Sequence, residues 1–319
     1  MIDTLLDRTI APGYGRAGLA LRRRLPGWPA DPPRMDGQVV MVTGAASGLG
    51  LAAAQGFASL GATVLAVARN ERRARDAEQA LDGDVRGVAC DVSSVAALRE
   101  LAAGVERLDV LVNNAGVMPR ERSRSVDGVE LTFATHVLGP FVLIQALAPV
   151  LAASAPARVI NVTSGGMYTQ ALRAGDLLSE RDDYNPKTFY ARSKRAEVVL
   201  TEQLAVRLAG TGVVVHSMHP GWADTPGVAS SLPRFHRLTG PLLRSAAQGA
   251  DTIVWLGAAA EPGESSGGFW HDRRERPTHR VPWTKETPED RERLWRECER
   301  LTGRHGGPAP APAPTQPHP

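Results

Sequence analysis

Short apolar, β-branched runs alternate along the middle of this chain with longer stretches in which Ala and Leu recur every three or four positions. The runs at 38–43, 62–68, 85–90, 108–112, 158–163 and 213–218 hold too few polar positions to present a wetted face. They read as strands buried on both sides of a parallel sheet. Between them, 49–60, 71–81, 95–106, 131–151 and 189–208 carry a helical period, and charge alternating with Leu294, Trp295 and Cys298 predicts a late helix over 288–301. Strand and helix repeated in this order predict the α/β class, a doubly wound parallel sheet flanked by helices.

The ends differ from this middle. Residues 1–36 are rich in Arg, Gly and Pro and close on Asp31-Pro32-Pro33, which marks an N-terminal extension ahead of a single domain over 37–302. Its Leu5, Leu6, Leu19, Leu21 and Leu25, set among Arg8, Arg16 and Arg22–Arg24, suit either a cap on the fold or contact with an anionic membrane surface. Interrupting glycines and prolines favour the cap. Residues 303–319 turn to Gly and then alternating Pro and Ala, with too little apolar surface to offset chain entropy, so a disordered tail is expected.

Composition mainly excludes. A hydrophobic fraction of 43% with 22% charged residues belongs to a soluble globular chain. Two cysteines cannot build a disulfide framework and fit a reducing compartment, for which the cytoplasm is the expectation. The apolar stretch 141–153 is broken by Gln145 and Pro149, short of the roughly 18 residues a spanning helix needs. Arg22-Arg23-Arg24 meets Leu25-Pro26-Gly27 where an export signal requires an apolar core. A net charge of +3 suits a solvated surface better than a nucleic-acid footprint, and no metal-ligand spacing occurs. Neither nucleic acid nor metal is expected; a homo-oligomer stays open.

Candidate chemistry begins where the first strand runs into Thr43-Gly44-Ala45-Ala46-Ser47-Gly48-Leu49-Gly50 and then a helix. Glycines let backbone approach a pyrophosphate closely, and a helix N-terminus offers it free N–H groups. A glycine cluster alone also describes an ordinary turn; its strand–turn–helix setting is what counts. The second strand ends in Ala68-Arg69-Asn70, where an acid would favour NAD(H). Arg69 instead offers a planar charged fork to a 2′-phosphate, favouring NADP(H) over NAD(H), unless it simply opens a solvated helix with Arg72 and Arg73. After the third strand come Asp91 and Val92. Asp91 suits an adenine edge and suits equally the N-cap of the next helix.

Tyr190-Ala191-Arg192-Ser193-Lys194 opens a helical pattern, and its i, i+4 spacing puts phenol and ammonium on one face. An ammonium held near a phenol stabilises the phenolate, which turns a weak acid into a usable acid/base. Lone pairs of this spacing are common and usually idle. Ser164 follows the fifth strand, and ligands of doubly wound sheets bind beyond the carboxyl ends of strands. Its hydroxyl is thereby a candidate partner for a substrate oxygen.

Taken in order, Thr43 to Gly50, Asn113-Asn114-Ala115-Gly116, Ser164, Tyr190 with Lys194, and Pro220-Gly221 through Thr225 resemble the short-chain dehydrogenase/reductase family over most of residues 37–271. Residues 165–168, 219–227 and 272–279 also look like the branch of dehydrogenase/reductase family member 12. The resemblance implies one Rossmann-like domain and an NAD(P)-dependent oxidoreductase acting on an alcohol or carbonyl. It implies that Tyr190 transfers the proton, that Lys194 assists it and holds the nicotinamide ribose, and that Ser164 orients the substrate. Gly44, Ser47, Gly48, Leu49, Gly50, Arg69, Asp91, Val92, Asn114, Ala115, Gly116, Pro220, Gly221 and Thr225 become the expected cofactor contacts. The family's usual helix asparagine is replaced by His136, since no asparagine lies between Asn114 and Asn161. His136 is therefore the expected substitute in a proton relay, with a purely structural bond as the alternative.

The spacing from Ser164 to Tyr190 is long for the family, and the polar residues 177–188 suggest a surface excursion beside the site. A lid is expected over about 222–245, with Val228, Leu232, Phe235 and Leu238. Together with Trp222, Met118 and Tyr168 these suggest an apolar substrate. Against the active oxidoreductase stands one reading of another class, a cofactor-binding sensor or scaffold with little turnover, motivated by His136.

Overall fold

Val40, Met41 and Val42 are wholly buried in β1 (Val39–Thr43), with apolar side chains on both faces of the pleat. A strand of that kind is stable only with a layer on each side. In this computed structural model, which describes residues 2–9, 13–231, 236, 237 and 239–303, five more strands follow at the expected places. They are β2 (Thr63–Ala68), β3 (Val85–Ala89), β4 (Val110–Asn113), β5 (Ala157–Val162) and β6 (Val213–Met218). Two further strands, β7 (Phe269–His271) and β8 (Arg274–Arg276), were not expected; at three residues each they are too short for a readable alternation. The eight strands lie in the order β3-β2-β1-β4-β5-β6-β7-β8, parallel except for the antiparallel β8.

Helices α1 (Ile2–Arg8) and α2 (Arg16–Arg22) precede the sheet. On one face lie α3 (Gly48–Ser59), α4 (Glu71–Ala80) and, later in the chain, α9 (Ala246–Ala258); on the other lie α5 (Val95–Ala103), α6 (Gly139–Ala153), α7 (Pro186–Arg207) and, last, α10 (Pro288–Leu301). A short α8 (Pro226–Ser231) stands outside the layers, ahead of α9 and α10. One core joins Phe57, Ile253 and Trp255 beneath the sheet; the other joins Phe141, Leu147, Leu200 and Trp295 above it. The run Leu131–Ala153 is long and apolar enough to cross a membrane, yet 61% of its most apolar window is buried inside the protein, as in a core helix.

Chain order reverses between β1 and β4, so the helices that leave these strands diverge and open a crevice at their carboxyl ends. Two local irregularities frame it. The helical run before α6 contains a π turn, Ala134–Leu138. The β7–β8 turn holds Asp272 and Arg273 at φ 52° and 54°, a left-handed geometry that non-glycine residues enter only under constraint. The constraint is ionic: Asp272 accepts from Arg22 and Arg244, and Arg273 is clamped by Asp251.

Arg22 also reaches Asp3, and Tyr14 packs on His219 and His271, so Tyr14 and the α2 residue Arg22 lie against the sheet edge. Residues 304–319, where the tail is expected, are outside the described residues.

Candidate active site

A cleft of about 630 Å³ opens at the switch point. Every residue named above as a cofactor contact lines it, as do Ser164, Tyr190 and Lys194; His136 does not.

The glycine turn is built around close approaches. Thr43 Oγ1 accepts from the Asn114 and Ala115 amides at 3.0 and 3.1 Å, and Asn114 Nδ2 donates back to the Thr43 carbonyl. That draws the two loops together, and a Cβ on Gly50 would stand 2.3 Å from the Gly44 carbonyl oxygen and 2.4 Å from Asn114 Nδ2. Ser47 occupies the N-cap of α3 without a side-chain capping bond, so its hydroxyl is left to the cleft. These features fit a pyrophosphate lying across the turn.

At the adenosine end, Arg69 and Arg73 are exposed and line the cleft, and neither is in an ion pair among the described residues. Their neighbours Arg72 and Arg75 are paired, with Asp76 and Glu71. Asn70, not Arg69, caps α4, through the Arg73 amide. Asp91 is not the N-cap of α5: Ser94 takes that place, while Asp91 Oδ1 accepts from the Ser93 amide and hydroxyl. The N-cap alternative for Asp91 is corrected accordingly.

The catalytic candidates sit where β5 meets α7. Asn185 caps α7 and Pro186 opens it, which fixes the helix start four residues before Tyr190. Thr163 Oγ1 donates to the Lys194 carbonyl, and Lys194 Nζ donates to the Val162 carbonyl at 2.8 Å, so the helix is pinned to the strand end that carries Ser164. Ser164 Oγ accepts from the Gly166 amide, which leaves its own proton to donate.

His136 departs from the expected relay. Its ring is 0% exposed, Nε2 accepts from the Val117 amide at 2.9 Å, and Nδ1 lies 2.8 Å from Ser193 Oγ. Ser193 in turn donates to the Tyr190 carbonyl, so the ring is the Nδ1–H tautomer with both nitrogens committed. Burial, then the Lys194 charge, holds its pKa well below the ordinary histidine value. No ring nitrogen is left for a relay; His136 packs edge-on against Tyr190 and ties it to the Val117 loop.

The substrate wall is also partly corrected. Met118, Trp222 and Val228 line the cleft, whereas Tyr168 does not: it packs on Phe269 and donates to the Pro277 carbonyl. Leu232, Phe235 and Leu238 lie outside the described residues. The 177–188 segment runs at the surface and is tied down there, because Arg122 donates to the Ser179 and Asp182 carbonyls and Tyr184 to that of Pro119.

Sequence reasoning passed over Thr43, Ser193, Arg73 and Glu197. The last accepts from Lys194 Nζ at 2.8 Å in a wholly buried pair, and its i, i+3 spacing from Lys194 was the available signal.

Residues 38–234 match the family model described as short chain dehydrogenase. The chain is 40% identical to dehydrogenase/reductase SDR family member 12 of Bos taurus over 85% of this chain and 88% of that one. It is 34% identical to retinol dehydrogenase 14 of Mus musculus, over 77% and 80%. Among solved structures, an uncharacterised protein from Mycobacterium paratuberculosis superposes with a TM-score of 0.70 at 28% identity, covering 86% of this chain and 96% of that one. The Pseudomonas aeruginosa RhlG/NADP active-site complex gives 0.62 at 28% identity, covering 74% and 94%.

Proposed function

The chain belongs to the short-chain dehydrogenase family and is an NAD(P)-dependent dehydrogenase/reductase; from that premise we propose that it interconverts an alcohol and a carbonyl on an apolar substrate, favours NADP(H) over NAD(H), and uses Tyr190 as its acid/base. One observation carries the reading: Ser164, Tyr190 and Lys194 line the same cleft as the glycine turn, at the switch point of the sheet.

When bound, the reduced cofactor would supply the hydride for a carbonyl carbon, and the oxidised cofactor would supply the acceptor for a hydride from an alcohol. The α3 N-terminus and Ser47 would hold the pyrophosphate, Asp91 and Val92 would border the adenine, and Arg69 with Arg73 would meet the 2′-phosphate. Asn114, Ala115 and Gly116 form the floor, and Pro220, Gly221 and Thr225 position the nicotinamide. Ser164 donates its free hydroxyl proton to the substrate oxygen. In the reducing direction Tyr190 protonates that oxygen as negative charge grows on it, and in the oxidising direction it removes the hydroxyl proton. Lys194, whose ammonium donates to the Val162 carbonyl, is the cation that would assist the phenol and hold the nicotinamide ribose.

Met118, Trp222 and Val228 support the apolar substrate, as does the similarity to a protein named retinol dehydrogenase. Cys90 and Cys298, free and buried, support a cytoplasmic setting. The test is a screen of aldehydes, ketones and alcohols with both cofactors, wild type against Tyr190→Phe. Loss of the hydroxyl is expected to lower the rate by about two to four orders of magnitude. A Tyr190→Phe enzyme of undiminished rate would refute the assignment.

A further inference from the structure

Lys194 is 2% exposed, and two of the three N–H donors of its ammonium are taken by protein: the Val162 carbonyl and Glu197 Oε2, each at 2.8 Å. Glu197 is 1% exposed, one helical turn beyond Lys194 on the same face of α7. A contact pair of opposite charges projects a much weaker field than a lone ammonium, so the carboxylate removes most of the help that Lys194 would give a nearby phenolate. We propose that Glu197 is a positioning residue which holds the Lys194 ammonium in register and, by offsetting its charge, restrains ionisation of Tyr190, biasing the site toward carbonyl reduction. The inference rests on Tyr190 being the acid/base.

The surroundings make Glu197 the group that sets this balance. The charge acting on it is Lys194, from its own helix. The 134–138 turn faces Lys194 with His136, which burial keeps neutral. Among the described residues β5 brings the Val162 carbonyl to Lys194, and β4 and β5 bring the neutral amides of Asn113 and Asn161, bonded to each other and onward through Thr201 to the Glu197 carbonyl. Burial pushes the Glu197 carboxyl up to about 7 against the pull of Lys194, so the offsetting charge itself is gained and lost around neutral pH.

The first readout needs no cofactor. Phenolate absorbance is titrated in the free protein for wild type and Glu197→Gln, each with its Tyr190→Phe counterpart subtracted. Burial pushes Tyr14, Tyr168 and Tyr184 up, and the subtraction removes them. Without the carboxylate, the Tyr190 step is expected about one pH unit lower, and the acid limb of kcat/KM for alcohol oxidation should move the same way. A step that stays in place or moves to higher pH overturns the inference. Should the glutamine variant not fold, Glu197→Met keeps the volume, removes the charge and carries the same expectation. An inactive Tyr190→Phe with an unmoved step rejects the role of Glu197 alone, whereas an active Tyr190→Phe rejects the acid/base assignment beneath it.

Discussion

Single side chains in this cleft are defined as much by the partners they lack as by those they hold. Among the described residues Arg69 and Arg73 stand at the mouth without a carboxylate, while the arginines beside them are paired along α4. Guanidinium forks of this kind suit a 2′-phosphate dianion. Arg69→Glu is expected to weaken NADP(H) binding by at least about tenfold, the energy of one charge-assisted contact, and to leave NAD(H) binding nearly unchanged. Fluorescence titration with both cofactors measures this, and equal losses for the two would defeat the assignment. Arg69 was legible because it follows a strand at the ribose position. Arg73 was legible only as one more charge on a polar helix, since sequence does not say which arginines find partners.

At the scale of elements, the cleft is made by two turns that interlock. The β1–α3 turn and the Asn114 loop share the Thr43 hydroxyl, and their closeness leaves no room for a methyl group at Gly50. Gly50→Ala is expected to force the turn open and raise the Kd for cofactor by at least about tenfold, because a backbone carbonyl, unlike a flexible side chain, cannot step aside. Calorimetric titration of a variant whose far-ultraviolet dichroism is unchanged checks it; wild-type affinity would contradict the geometry. The π turn over Ala134–Leu138 is a second element of this kind. It carries His136, buried between the Val117 loop and Tyr190's helix, and the helical period of 131–151 gave no sign of it because the apolar spacing continues through the extra residue.

For the molecule as a whole, the N-terminal segment is part of the site's support. The Trp222 amide donates to the Tyr14 carbonyl, and Arg244 donates to the carbonyls of Gly15 and Pro220 and to Asp272. Gly221, at φ 75°, has the Tyr14 carbonyl where a Cβ would lie, so residues 13–22 brace the loop that carries Pro220, Gly221 and Thr225. His219 and His271 stack at 3.8 Å inside this brace. Burial is the first cause that holds them, and His136, well below the ordinary histidine value. The folded chain therefore keeps all three neutral while the unfolded chain protonates them as pH falls through about 6.5, and stability falls with it. His216 and His279 are lowered in the same sense, so stability is lost between pH 7 and 5.5, and protonation of Glu197, raised in the folded state, returns part of it. A net loss of stability at the lower pH is expected from denaturant unfolding at the two pH values; equal stability at both would show that the histidines are not held neutral.

The order of strands and helices, the glycine turn and the Tyr190/Lys194 spacing were set by sequence alone, because periodicity and short-range spacing are properties of neighbouring residues. The six long strands are legible for that reason, and so is the switch point that follows from winding them right-handedly. Only the tertiary structure could decide that His136 has no nitrogen to spare, that Tyr168 faces Pro277 and not the cleft, and that residues 13–22 brace the cofactor loop. Each depends on which polar groups meet across tens or hundreds of residues. Burial makes those meetings binding, since a polar group removed from water must find its partner wherever the fold brings one.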